Sequence, residues 1–100
     1  MNKIAALSPA LLGALLAGPA SASWNLALDK DCLACHGTPP RGDAPTIERL
    51  ARHSESLRSN DEKIREAAQK LRSRRDAVAH SQLSQADAER LVRWLADGAQ

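Results

Sequence analysis

The chain has 100 residues, with fourteen Lys and Arg against twelve Asp and Glu, a balance too near neutral for a nucleic-acid binder. It holds two tryptophans and no Phe or Tyr, so the aromatic mass that normally fills a small core is scarce. A chain of this length makes one domain, and a domain this small usually needs a staple.

The start reads as an export signal. Lys3 supplies a basic head, Ile4 to Ala17 an apolar run, and Ala20, Ser21 and Ala22 a small-residue cleavage site. The run is fourteen residues long, contains Pro9 and Gly13, and falls short of the roughly 20 residues of a membrane-spanning helix. A signal peptide over 1–22, cleaved after Ala22, and a periplasmic domain over 23–100 are therefore expected, with an uncleaved anchor as the lesser alternative. No second apolar stretch follows, so no membrane span is expected after cleavage.

Trp24 to Lys30 is predicted to form a short helix, with Leu28 four residues after Trp24. Pro39, Pro40, Gly42 and Pro45 mark a loop over 37–45. From Thr46 the apolar positions Ile47, Leu50, Ala51 and Leu57 recur at helical spacing, with a stop at Asn60. Ser59 with Glu62 has the reciprocal capping pattern, which predicts a helix from Ser59 to about Arg74 along Ile64, Ala67, Ala68 and Leu71. Ser84 with Asp87 is a weaker form of the same box; Ala88, Leu91, Val92 and Leu95 follow, and Gly98 is placed to end that helix. With no strand pattern, the expected architecture is a small all-α domain of about four short helices.

The chemistry concentrates at Cys32, Leu33, Ala34, Cys35 and His36, a Cys-x-x-Cys-His that uses both cysteines. This spacing suits covalent haem, two thioethers to one porphyrin with the following histidine as an iron ligand. A structural zinc would want four N or S ligands, and the chain offers no second close pair beside its three histidines, His36, His53 and His80. A thioredoxin-like thiol pair belongs before a helix in a βαβ context, and no strands are expected. Export favours haem further, because it would oxidise a bare cysteine pair unless the sulfurs are occupied.

The segment resembles the small bacterial class I cytochromes c. The resemblance covers nearly all of 23–100: a short helix running into Cys-x-x-Cys-His, Pro45 nine residues after His36, and Leu83-Ser84-x-x-Asp87-Ala88 with Leu91-Val92-Arg93-Trp94-Leu95. It implies one covalent haem c on Cys32 and Cys35, terminal helices crossing beside the haem, His36 as the proximal iron ligand, and a Pro45 carbonyl that accepts the hydrogen bond of the His36 ring. Two features depart from the family. Asp31 precedes Cys32 where a small residue, often glycine, is usual. The usual axial methionine is missing, since the only methionine is Met1.

At the corresponding place stands His80, read as the distal iron ligand on a loop ahead of the last helix. His53 is read as a solvated side chain on the polar face of its helix. The porphyrin wall is expected to be aliphatic, from Leu26, Leu28, Leu33, Ile47, Leu50, Leu71, Val78, Leu91 and Leu95, with Trp94 as its main aromatic.

Two strong protein ligands leave no open iron position, which implies a bis-histidine, low-spin, low-potential electron carrier rather than an enzyme. A mobile His80 would instead leave a site for a small gas or peroxide, as in a sensor or weak peroxidase. A third reading is a haem subunit of a larger periplasmic oxidoreductase. Partners would be periplasmic redox proteins, with Arg72, Arg74 and Arg75 as a docking face or, more plainly, as a solvated helix end favoured by the macrodipole.

Overall fold

The computed structural model describes residues 24–74 and 77–100. The expected signal segment, Ser23, Arg75 and Asp76 lie outside the described residues.

The domain is all-α. Its helical segments are α1 (24–29), α2 (Cys32–His36), α3 (Ile47–Ser54) with a following 3-10 turn (Glu55–Leu57), α4 (Asp61–Ser73), α5 (Val78–Ser81) and α6 (Gln85–Ala96). The described residues thus hold the four expected helices and two short ones besides. The two additions, α2 and α5, are five and four residues long, too short for an apolar stripe to repeat.

The helix ends follow from local chemistry. Thr46 caps α3 by accepting the Arg49 N–H at 3.2 Å, and Ser84 caps α6 by accepting the Asp87 N–H at 3.0 Å. The α4 cap is Asn60, which accepts from Lys63 N at 3.1 Å, not Ser59. Ser59 sits at φ 66°, in the left-handed turn that separates Leu57 from α4, so its side chain is a residue too early to reach the first free N–H groups. The helix from Thr46 correspondingly ends at Ser54 and tightens to a 3-10 turn.

At the far end of α6, Gly98 takes φ 99°. The Ala99 N–H reaches back to Trp94 O and the Gly98 N–H to Leu95 O, both at 2.9 Å, a Schellman closure that a residue with a Cβ would strain. Arg58 Nε donates to Ala96 O at 3.2 Å, satisfying another terminal carbonyl.

The core is built on α6. Ala88, Leu91, Val92, Trp94 and Ala96 are buried along it; Ile64 and Ala68 of α4, Leu26 and Ala27 of α1, and Leu83 complete the cluster. α6 packs against both α4 and α3, and α5 leans on α4. The fully buried alanines Ala27, Ala68 and Ala88 let backbones approach where larger side chains would hold them apart. Trp24 and Trp94 meet edge to face, ring centroids 4.8 Å apart, and tie α1 to α6.

Trp94 therefore packs at the junction of α1 and α6, and Leu28 and Val78, expected in the apolar wall, are exposed. Ile64 is the largest fully enclosed side chain. Replacing it with Ala removes buried methyl groups and leaves a cavity, so urea denaturation of Ile64→Ala is expected to show a loss of about 2–5 kcal/mol.

Candidate functional site

The Cys-x-x-Cys-His segment forms a helix of its own because one residue breaks it from α1. Asp31 adopts φ 60°, ψ 28°, a left-handed conformation that costs most L-residues about 1–2 kcal/mol and that Asp, Asn and Gly bear best. The position before Cys32 thus requires backbone freedom, which Asp supplies in place of glycine. Beyond it, the Ala34 N–H bonds to Asp31 O at 3.1 Å and starts α2.

Within α2, Cys32 and Cys35 are three residues apart and so share a face, with His36 adjoining. Both thiols are unbridged and half-buried, and Cys32 also packs against the core. Burial pushes the Cys32 thiol up from its ordinary value, partly opposed by a backbone hydrogen bond and reinforced by the Asp31 carboxylate. This is the reverse of the acidic thiol that a disulfide-exchanging Cys-x-x-Cys uses.

Gly37 closes the segment: a Cβ there would stand 2.7 Å from the Leu33 carbonyl oxygen. The chain then loops through 38–44, with Arg41 N bonded to Cys35 O at 2.9 Å, and returns so that Pro45 O accepts from His36 Nδ1 at 2.6 Å. A carbonyl only accepts, so Nδ1 carries the proton and the lone pair of the neutral ring lies on Nε2, the nitrogen free to bind a metal.

His80 faces that ring. The two imidazole centroids lie 6.2 Å apart with planes 25° from parallel, although 44 residues separate them in the chain. Two imidazoles binding one metal ion from opposite sides, at about 2 Å from metal to nitrogen, hold their centroids about 6 Å apart. Ring packing alone also spans this separation, so the pair carries weight together with the two thiols on the turn of His36.

His80 is not on a loop. It lies on α5, a single turn in which the His80 N–H bonds to Ala77 O at 3.2 Å and Leu83 N to His80 O at 3.3 Å. Sequence periodicity has no means of signalling so short a helix. His53 is exposed on α3, away from this pair.

Among the described residues no three His, Cys, Asp or Glu side chains form a metal-binding group, and a structural zinc needs four such ligands. A porphyrin brings its own four nitrogens and needs only two from the protein. Cys32, Cys35, His36 and His80 are the residues that could hold one. Leu33, Ile47, Leu50 and Leu71, expected in the apolar wall, are half-buried, as is Pro45.

The basic residues at the end of α4 are not equivalent. Lys70, Arg72 and Arg74 are all exposed; Arg72 is in addition bonded to Leu83 and Gln85 across the fold; Arg75 is outside the described residues. Among the described residues no helix is long and apolar enough to cross a membrane. No family model, curated protein or solved structure matches the chain.

Two measurements check this geometry. Asp31→Val is expected to lower stability by about 1–2 kcal/mol in urea denaturation, and Asp31→Gly to leave it unchanged or higher. In the folded chain before any thioether forms, the raised Cys32 pKa means less thiolate at neutral pH. Its alkylation by iodoacetamide should be slower than in urea at the same neutral pH, and the midpoint of its rate against pH should lie higher in the folded chain than in urea.

Proposed function

We propose that the chain is an exported monohaem c-type cytochrome that carries single electrons, with His36 and His80 as its two axial ligands. The observation that carries this reading is the pair of near-parallel imidazoles, 6.2 Å apart, beside two thiols at thioether spacing. The reading accords with the resemblance of the sequence to small bacterial class I cytochromes c.

In this reading Cys32 and Cys35 anchor the porphyrin through thioethers, and His36 meets the iron through Nε2 while Pro45 O holds Nδ1–H. His80 binds from the opposite side. The bound haem would supply one-electron Fe(III)/Fe(II) chemistry. With both axial positions filled from the chain, substrate has no place at the iron, so the protein is a carrier and not an enzyme.

Imidazole in place of thioether removes the ligand that favours Fe(II), which puts the potential below that of methionine-ligated relatives. Leu33, Ile47, Leu50 and Leu71, all half-buried, would supply the aliphatic wall of the porphyrin. A periplasmic redox partner with an acidic face would dock at the basic stretch Arg72, Arg74 and Arg75, either as a free protein or as the rest of a larger oxidoreductase. Such docking weakens as salt rises.

The test is optical. The exported protein should show a low-spin haem spectrum whose ferrous form takes up carbon monoxide only slowly, at the rate His80 leaves the iron. His80→Ala should turn it high-spin and let carbon monoxide bind fully, while His53→Ala should change neither. A wild-type protein that takes up carbon monoxide at once would favour the gas- or peroxide-binding reading, and one exported without haem would end the cytochrome reading altogether.

A further inference from the structure

A four-residue helix does not persist by itself, because nucleating one turn costs more than its few hydrogen bonds return. α5 also has no side-chain cap: Ala77, at its N-cap, offers no acceptor. The position of His80 is therefore set from outside the turn, and the hydrogen bonds show from where. Arg72, in the last turn of α4, donates Nε–H to Leu83 O at 2.8 Å and Nη1–H to the Gln85 side-chain oxygen at 3.3 Å.

Leu83 is buried, 5% exposed, and its own N–H bonds back to His80 O at 3.3 Å. Gln85 is held in turn, donating to Arg65 O at 3.3 Å and to Glu89 at 2.9 Å. One guanidinium thus bonds both Leu83, just past α5, and Gln85, the first residue of α6, and ties the connection between them to α4. A planar fork making two bonds restrains direction as well as distance, which an ammonium does not.

We infer that Arg72 is a positioning residue for the distal ligand: its grip on the Leu83 carbonyl and on Gln85 holds the α5 turn, and so sets how readily His80 leaves the iron. This rests on the reading of His80 as a ligand given above. It assigns Arg72 an internal role beyond partner docking.

The experiment follows carbon monoxide binding to the reduced holoprotein by stopped flow at high carbon monoxide, where loss of His80 limits the rate. Removing a hydrogen-bonded charged donor should make Arg72→Ala about tenfold faster than wild type. Arg72→Lys, which keeps the charge and one donor but loses the fork, should recover only part of the difference. Lys70→Ala removes a charge at the same end without touching α5 and should match wild type. Ile64→Ala, which loosens the core at a distance from the turn, separates general destabilisation from loss of the grip, and should stay within about twofold of wild type.

An Arg72→Ala rate equal to that of a low-spin wild type would overturn the inference, as would an equal acceleration in Ile64→Ala or Lys70→Ala. A wild type that is high-spin from the outset would be a different failure, of the bis-histidine coordination itself, and would be seen before any variant is compared.

Discussion

The apolar stripe of α6 is the surface on which the other long elements close. Ala88, Leu91, Val92, Trp94 and Ala96 are buried along its twelve residues, and the stripe collects α1, α3 and α4 into one cluster. In a domain without Phe or Tyr this aliphatic burial is the main hydrophobic contribution, at roughly 25 cal/mol per Å² of apolar surface removed from water. The short segments have no such stripe. They are ordered because the long helices at their ends are fixed.

That dependence shapes the site. His36 and His80 both sit on single turns, and each turn takes its position from what flanks it. For α2 the flanks are the left-handed Asp31 on one side and Gly37 on the other, with Cys32 packed against the core. The acceptor for His36 is placed by the start of α3: Pro45 is followed by the capping Thr46 and by Ile47, which packs on the core cluster. α5 is held by Leu83 and Arg72. The facing histidines are thus positioned by hydrophobic burial at some distance, relayed through a few backbone hydrogen bonds.

Much of this was legible in the sequence because it rests on local or periodic signals. The stripes of α4 and α6, the helix start at Thr46, the cap at Ser84 and the stop at Gly98 all lie within a few residues of what they specify. The contents of the candidate site were legible too, since Cys32, Cys35 and His36 are contiguous. What was hidden is of two kinds. Backbone conformation at a single position leaves no pattern, so Ser59 looked like a cap when its φ makes it a turn residue, and Asp31 looked like a steric departure when it supplies a left-handed joint. Contacts across the fold leave none either. The side chain of Arg72 looks like surface charge until Leu83, eleven residues on, is seen to accept from it, and Leu28 and Val78 share the composition of wall residues although they face outward. A turn as short as α5 lies below the resolution of any 3.6-residue period.

The joint between Trp24 and Trp94 has an optical consequence. These are the only aromatic residues of the chain apart from histidine, and they touch, so all of the intrinsic ultraviolet emission of the protein originates at the meeting of its first described helix with its last. One indole is buried and the other about a third exposed. Before any haem is attached, the emission is therefore a local gauge of that joint: it registers parting of α1 from α6.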